Sequence, residues 1–258
     1  MKCFFLHSRK LFNMAVLFTA FGMLAFNLQS SSAVATQIGS VTFLLGGPND
    51  IQIQHAGQTG WEAAKLKMPI LDGDYLKSAA ESRCEVKLID GTVVRIGENT
   101  SFQFTQVNIK EKQRQVKAEV QSGQVWVNLP KEKSSKNSFQ IKAPTAVCAV
   151  RGTIYRVDAD STTKCVVYDG VVAVGPVNMW GKPVPRTTKS LQPYPVQGPS
   201  QVPGPYQVSL EQWQQIVKGY QIVVRQDGKY AKEKIDEKKD ADLDWVRWNK
   251  EQDAKVIR

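Results

Sequence analysis

Hydrophobic and polar positions alternate along most of the chain between residues 36 and about 177. Short runs rich in Val, Ile, Phe, Thr and Tyr are separated by Gly, Asp and Asn about every 8 to 12 residues. This spacing is typical of a compact all-β domain, and helix signals are weak within it. The sequence therefore predicts a twisted or rolled β-sheet. A solenoid-like arrangement is the alternative that its unevenly spaced repeats leave open.

A short unit recurs in this region, in which a glycine is followed by alternating apolar positions. It begins at Gly39, Gly123 and Gly170, and a looser copy begins at Asp90-Gly91. Glycine adopts positive φ without a steric penalty. We therefore expect each glycine to lie in a hairpin turn and the residues after it to form a strand.

The composition changes after Gly175, where eight prolines lie between Pro176 and Pro205 and large apolar residues are few. We expect residues 178–208 to form an extended, semi-rigid linker, because proline-rich segments favour polyproline geometry. The expected division of the chain is a leader, a β domain, this linker and a C-terminal segment, over residues 1–35, 36–177, 178–208 and 209–258.

The C-terminal segment carries signals for two helices around a hairpin. Ser209 followed by Gln212 predicts a capped short helix, and Asp227-Gly228 predicts a hairpin turn. A second helix is expected over residues 242–256. The whole chain is thus expected to be all-β with a small α/β C-terminal segment.

Three tryptophans, Trp213, Trp245 and Trp248, lie in this otherwise strongly charged segment. Packed tryptophans bury large apolar areas, so we expect the segment to fold back on the β domain. The alternative is a docking element that becomes ordered only when it binds a partner.

The N-terminus has the order of a secretory signal peptide. Lys2, Arg9 and Lys10 precede an apolar run over residues 11–26, and Ala33-Val34-Ala35 follows. Cleavage is expected after Ala35, which predicts a periplasmic or secreted protein without a transmembrane helix. The alternative is an uncleaved anchor, but the run is shorter than the roughly 20 apolar residues that a span needs.

The net charge of the chain indicates which class of partner it is expected to bind. The formal charge is +10, and removal of the three basic residues in the leader would leave +7. An exported basic protein meets envelope components, and its basic residues are interspersed with acidic ones, as on a solvated surface. We therefore expect an envelope protein or an anionic envelope polymer as partner, and not nucleic acid.

The acidic segments Asp72-Gly73-Asp74 and Asp90-Gly91 have the composition of turns that need left-handed backbone angles and side-chain-to-backbone hydrogen bonds. We interpret them as structural, and no carboxylate pair is nominated for catalysis. Asp240 begins a sequence similar to a calcium loop, but Trp245 occupies the sixth position, where that loop requires glycine. The sequence predicts no catalytic residue, no cofactor and no metal site.

The segment Arg151-Gly152-Thr153 lies between two apolar runs and is a candidate structural or binding motif. The Arg151 guanidinium is expected to pair with Asp74 or Asp90, and the alternative is that it binds an external anion. Gly152 is expected to permit a close backbone approach, so a side chain there should destabilise the fold.

The cysteines have wide, irregular spacing without a C-x-x-C pair, which excludes a zinc ribbon and a thioredoxin-type site. After cleavage Cys84, Cys148 and Cys165 remain, and export allows one disulfide among them. A cysteine nucleophile would need an oriented base. His55 is the one histidine after the leader, and we expect it to be solvated in a hairpin turn.

Several ordered segments of the β region carry a resemblance to a known family. They are Gly39 to Phe43, Trp61, Leu71-Asp72-Gly73-Asp74, Asp90-Gly91-Thr92, residues 94–99 and 122–127, Ala143-Pro144-Thr145-Ala146-Val147, Val150-Arg151-Gly152-Thr153 and Asp169-Gly170. With these segments, residues 36–177 resemble the FecR domain, the periplasmic module of ferric-citrate-type sigma-factor regulators. The resemblance implies an all-β fold and a periplasmic location.

The chain departs from the regulator pattern at its N-terminus. Sigma-regulating members of the family resemble one another in having a cytoplasmic segment and a membrane helix before the periplasmic domain, whereas here the leader adjoins the domain. Two hypotheses follow. The first is a non-catalytic exported binding or scaffold module in the cell envelope. The second is a soluble periplasmic sensor or regulatory component of cell-surface signalling linked to a sigma-factor system. An enzyme is not expected.

Overall fold

The computed structural model describes residues 36–110, 113–131, 137–183 and 208–256. The expected leader with its cleavage site at Ala35, and most of the expected linker, lie outside the described residues. The described residues belong to one compact unit.

Eighteen strands and two helices make up the regular structure of the described residues. The strands are β1 (Gln37–Leu45), β2 (Ile51–Gln54), β3 (Glu62–Ala63), β4 (Pro69–Leu71), β5 (Tyr75–Ser78), β6 (Arg83–Leu88), β7 (Val93–Ile96), β8 (Ser101–Lys110), β9 (Gln113–Asn128), β10 (Ser138–Lys142), β11 (Val147–Val150), β12 (Ile154–Ala159), β13 (Thr163–Asp169), β14 (Val171–Gly175), β15 (Val208–Ser209), β16 (Gln214–Val217), β17 (Tyr220–Val224) and β18 (Lys229–Lys234). The helices are α1 (Glu237–Asp242) and α2 (Asp244–Val256), and a 3-10 turn spans Val177–Met179.

The strands form two layers that share β9. Sheet I has the order β4-β1-β6-β7-β9-β12-β13-β17-β18-β15. Sheet II has the order β3-β2-β5-β8-β9-β10-β11-β14-β16. The first part of β9, residues 113–122, pairs in sheet II, and residues 123–128 pair in sheet I. The predicted all-β fold with a twisted sheet is confirmed.

The main hydrophobic core lies between the two sheets, and both contribute to one cluster of buried side chains. Val125 and Val127 of β9 enter it from sheet I, and Phe102 and Phe104 of β8 enter it from sheet II. The two phenylalanine rings lie edge to face with centroids 4.9 Å apart, a favourable geometry for aromatic pairs. The alternation of apolar and polar residues in the sequence thus marks which side chains of these strands point into the core.

The glycine units follow the hairpin prediction in part. Gly91 has a φ of +83° and lies between the paired antiparallel strands β6 and β7, as predicted. Gly170 has a φ of +85°, but the hairpin prediction is wrong for it, because β13 pairs in sheet I and β14 pairs in sheet II. Gly123 also has a positive φ of +91°, but it lies inside β9, where the strand passes from one sheet to the other. For Gly39 the hairpin prediction is wrong. This residue lies within β1, and a side chain there would collide with the Lys87 carbonyl of β6.

The predicted short helix after Ser209 is wrong, because this stretch forms β15 and β16. Residues 214–217 pair with β14, and Ile216 is fully buried in the main core, so sheet pairing overrides the local capping signal. The hairpin around Asp227-Gly228 is confirmed as β17 and β18. The terminal helix is confirmed as α2, and Asp236 caps the preceding α1 by accepting a hydrogen bond from the Lys239 amide.

Candidate functional site

The Asp72-Gly73-Asp74 segment is a turn whose carboxylates are bound by backbone amides. Asp74 is fully buried and accepts a hydrogen bond from the Leu71 amide at 2.8 Å. Asp72 accepts one from the Val107 amide, also at 2.8 Å. Gly73 has a φ of +91°, which an L-residue rarely adopts. These contacts fit the structural interpretation of the segment.

His55 is not solvated as expected but lies between two carboxylates. Its Nδ1 is 2.9 Å from Asp74 Oδ2, and its Nε2 is 3.1 Å from Glu62 Oε1. The sequence gives no local signal for this, because the two partners lie on different strands and turns.

The Asp90-Gly91 turn contains a buried ion pair that the sequence analysis missed. Asp90 Oδ2 lies 2.8 Å from Arg114 Nη1, and Asp90 also accepts hydrogen bonds from the amide and hydroxyl of Thr92. Of the two carboxylates that were expected to pair with Arg151, Asp74 lies beside His55 and Asp90 lies beside Arg114. The pairing of Arg151 itself stays a prediction. Arg114 was overlooked because it follows Asp90 by 24 positions in a different strand.

Gly152 and Thr153 fix the backbone near Pro130. A Cβ at Gly152 would lie 2.9 Å from Lys131 Cα and 3.4 Å from the Pro130 carbonyl, which is the close approach that was predicted. Thr153 is buried, and its hydroxyl donates to the Val171 carbonyl at 3.1 Å. These contacts join neighbouring strands within the β fold.

A second buried region lies on the opposite side of sheet I from the core, under the two C-terminal helices. We call it the helix-covered face and define it by four side chains of sheet I, namely Arg95 of β7, Trp126 of β9, Arg156 of β12 and Tyr168 of β13. Both arginines and Trp126 are almost fully buried. A buried arginine needs a hydrogen-bonding or charged partner, because burial of an unpaired charge is costly. The two helices supply such partners on this face.

Arg95 binds α2 through its guanidinium. Its Nη1 lies 2.6 Å from Asp253 Oδ1, and its Nε lies 2.6 Å from Glu85 Oε2 on the neighbouring strand. The other oxygen of Asp253 accepts a hydrogen bond from the Trp126 indole at 3.0 Å. One helix carboxylate is thus held by two sheet side chains.

Arg156 binds α1 in a similar way. Its Nη1 lies 3.1 Å from Asp240 Oδ1 and 3.0 Å from the Tyr168 hydroxyl, which itself donates to Asp240 at 3.2 Å. Burial raises the pKa of Tyr168, and the Asp240 carboxylate raises it further, so the phenol remains a proton donor at neutral pH. Burial also raises the pKa of Asp158, the second carboxylate beside Arg156.

Aromatic contacts complete the helix-covered face. The rings of Trp126 and Tyr168 are stacked with centroids 4.4 Å apart, and Trp245 and Val246 of α2 pack in the same cluster. Trp248 stacks on Trp245 at 5.5 Å. The prediction that the C-terminal segment folds back on the β domain is therefore confirmed for these helices.

The three described cysteines are buried thiols with no disulfide among them. Burial raises the pKa of Cys84 to about 12, so this thiol is protonated at neutral pH and is a poor nucleophile. In the described ranges, no group of three or more His, Cys, Asp or Glu side chains has the arrangement of a metal site. No helix of those ranges is long and apolar enough to cross a bilayer.

Comparison with known proteins gives one family match. Residues 74–173 match the family model described as FecR protein. The chain is also similar to two crystal structures of a "putative anti-sigma factor" from Parabacteroides distasonis. The first has 18% identity and a TM-score of 0.42 over 63% of this chain and 60% of that chain, and the second has 20% and 0.39 over 59% and 55%. No curated protein matches.

Proposed function

Since this chain carries a FecR domain over residues 74–173, we propose that it is a non-catalytic binding module of the bacterial cell envelope. The observation that supports this most is the helix-covered face. There, two buried arginines of sheet I each hold a carboxylate of a C-terminal helix, at 2.6 Å for Arg95 and 3.1 Å for Arg156. The face binds acidic side chains of the chain's own helices, so a partner that presents an acidic helix would have to displace α1 and α2.

The polar groups of the family motifs support a structural role for those motifs. Asp74 is bound by two backbone amides and His55, and Asp90 is bound by Arg114 and Thr92. A catalytic acid or base needs a free proton-accepting position beside a substrate. These carboxylates instead connect neighbouring strands and turns of the fold.

An envelope protein with an acidic helix is the partner that this surface chemistry favours. Each arginine makes one contact to a helix carboxylate and a second contact to a carboxylate of the sheet, Glu85 for Arg95 and Asp158 for Arg156. A guanidinium held in this way favours a carboxylate in a fixed position, which a helix supplies. An anionic envelope polymer presents its charges on a flexible chain and is the other partner to be distinguished by experiment.

Export is part of this proposal and rests on the sequence alone. The leader is expected to be removed after Ala35, so the mature protein should begin at Thr36. N-terminal mass spectrometry of the periplasmic fraction tests this step. A mature chain that retains residues 14–26 would contradict it.

In-cell photocrosslinking tests the binding proposal. A photoreactive amino acid replaces Leu243, which is exposed between α1 and α2, and in a matched control replaces Ile89, which is exposed in the turn after β6. We expect a discrete adduct from position 243 and none from position 89. Protease-sensitive adducts would indicate a protein, and muramidase-sensitive adducts a polymer. Absence of any adduct at position 243 would contradict the proposal.

A regulatory sensor in cell-surface signalling is the second candidate, and the FecR match favours it. The helices are held by buried ion pairs as well as by aromatic packing, so a ligand that competes for Arg95 or Arg156 would weaken their docking and change the exposed surface. Deletion of the gene should then alter transcription from promoters that depend on an envelope-responsive sigma factor. If transcription from these promoters is unchanged in the deletion strain under inducing conditions, the regulatory role is wrong.

A further inference from the structure

The outer face of sheet II carries aromatic and amide side chains in one row across its strands. Alternate residues of β2, β5 and β8 point into the main core, and the residues between them point outward. Gln54 of β2 pairs in register with Tyr75 of β5, and Tyr75 pairs with Gln103 of β8. Trp61, which directly precedes β3, lies beside Tyr75. We call these four half-buried side chains the aromatic-amide row.

The two rings of the row are held in position by their neighbours. Trp61 and Tyr75 lie edge to face, with centroids 6.3 Å apart and planes inclined at 73°. The Tyr75 hydroxyl accepts a hydrogen bond from the side-chain amide of Gln121 on β9. The Lys77 ammonium lies over the Trp61 ring, 4.3 Å from its centroid. The orientation of both rings is therefore set before any ligand binds.

The amide groups of the row keep free hydrogen-bonding capacity. Gln103 donates from Nε2 to the Gly73 carbonyl at 3.2 Å, which leaves its side-chain oxygen as an acceptor. The Gln54 side chain makes no hydrogen bond to another residue that the structure describes. A side-chain amide can donate two hydrogen bonds and accept two. Sugar hydroxyls, which both donate and accept, match this capacity.

The charges beside the row indicate the charge of its ligand. The row itself contains no charged side chain. Two carboxylates flank it, and both are engaged: Glu119 of β9 lies 3.2 Å from Lys142, and Glu62 of β3 lies 3.1 Å from His55. Binding along the row therefore does not need an ion pair. This charge distribution complements an uncharged ligand.

We propose that the aromatic-amide row binds an uncharged glycan strand. Sugar rings place their C–H faces on Trp61 and Tyr75, and their hydroxyls bond to Gln54 and Gln103. Aromatic residues with a polar group suit a ligand that is apolar on one face and polar at its edge. Neighbouring strands are about 4.8 Å apart, so the row from the β3 edge to β8 spans about 14 Å and fits a short oligosaccharide. The row shares no residue with the helix-covered face, so this proposal is independent of the partner-binding role.

NMR titration of the mature protein with chitotetraose and with cellotetraose tests the proposal. We expect the Trp61 indole and Gln54 side-chain amide signals to shift, with a Kd of about 1 mM or tighter for at least one sugar. Because no ion pair forms, this Kd should change less than about twofold between about 50 and 500 mM NaCl. Absence of a shift with both sugars, or binding that is lost at the higher salt concentration, would overturn the proposal. Tighter binding of decaproline than of either sugar would assign the row to a proline-rich peptide and would also overturn it.

Two variants with matched controls locate the site. Tyr75→Ala removes one ring and should raise the Kd about tenfold, whereas Tyr220→Ala removes an exposed tyrosine of sheet I and should leave it unchanged. Gln54→Glu keeps the side-chain shape but removes both N–H donors, and it should raise the Kd about fivefold even if Tyr75→Ala does not fold. Gln226→Glu makes the same change in the turn between β17 and β18 and should have no effect. If either row variant binds the sugar as tightly as its control does, the assigned site is wrong.

Discussion

The two faces of sheet I are both buried, but by different chemistry. On the inner face, side chains such as Val125, Val127 and Tyr155 pack against sheet II in one large hydrophobic cluster. On the outer face, Arg95 and Arg156 are equally buried under α1 and α2 and meet carboxylates. Hydrophobic contact is non-directional. A buried arginine, in contrast, needs a carboxylate within hydrogen-bond distance of its guanidinium N–H groups.

The two faces should therefore respond differently to substitution. Replacing an inner residue with another apolar residue of similar volume changes little, because the interaction scales with area. Removing one partner of a buried ion pair leaves an uncompensated charge, which is strongly destabilising. The buried ion pairs of the helix-covered face therefore fix where the C-terminal helices dock on sheet I.

The largest expected effect comes from the inner face. Phe104→Ala removes a fully buried ring that packs on Phe102, and it should lower the free energy of unfolding by about 3–5 kcal/mol. Denaturant unfolding of the mature protein measures this. The loss should appear in the whole cooperative transition, and a loss confined to α1 and α2 would contradict the division between the two faces.

The passage of β9 between the sheets should be the next most sensitive point. At Gly123 a Cβ would collide with Thr100, and φ is +91°, so Gly123→Ala should cost about 2–4 kcal/mol from strain and displacement together. Gly57 has a similar φ of +77° but no atom near its Cβ. Gly57→Ala should therefore cost only about 1 kcal/mol. Similar melting temperatures for the two variants would show that the contact with Thr100 is unimportant.

On the outer face, Asp240→Asn should act locally. The change removes the carboxylate that holds Arg156 and Tyr168, and we expect the docking of α1 and α2 to weaken by about 2 kcal/mol. Hydrogen exchange of the helix amides should accelerate while the β13 amides stay protected. Asp242→Asn, on the same helix with an exposed side chain, is the matched control and should leave exchange unchanged.

The smallest expected effect is a pH dependence at the start of α2. Hydrogen bonding and attraction to Arg83 lower the pKa of Asp244 below that in the unfolded chain. Its stabilising contribution is thus present above about pH 4 and is lost as pH falls through the lowered folded-state pKa. Because Asp244 is exposed, the loss should be below about 1 kcal/mol. Asp244→Asn should remove this component, and an unchanged acid transition in the variant would contradict the assignment.

The inner face could be predicted from the sequence because its information is local. Alternation of apolar residues marks a strand and its buried side, so the β fold and the hairpin at Asp227-Gly228 were recognised. The capping signal at Ser209 was misleading, because pairing of β16 with β14 decides the structure there. Local preference is a weak guide where a strand completes a sheet.

The helix-covered face could not be predicted because its partners are far apart in the chain. Arg95 and Asp253 are separated by 158 positions, and Arg156 and Asp240 by 84. In the sequence, each of these four charged residues resembles one on an exposed surface, because its partner is not nearby in the chain. The one useful signal was the tryptophan content of the C-terminus, which indicates packing but does not name the surface that is covered.

A double-mutant cycle between Arg95 and Asp253 tests the central claim that sheet I recognises helix carboxylates. Arg95→Met, Asp253→Asn and the double variant are compared by hydrogen exchange of the α2 amides. We predict a coupling energy of about 1–3 kcal/mol, within the range measured for residues in one ion-pair network. The exposed pair Arg247 and Asp244 is the control cycle, and its coupling should stay below about 0.5 kcal/mol. A coupling for Arg95 and Asp253 no larger than that of the control would mean that apolar packing alone holds the helices, and would contradict the account.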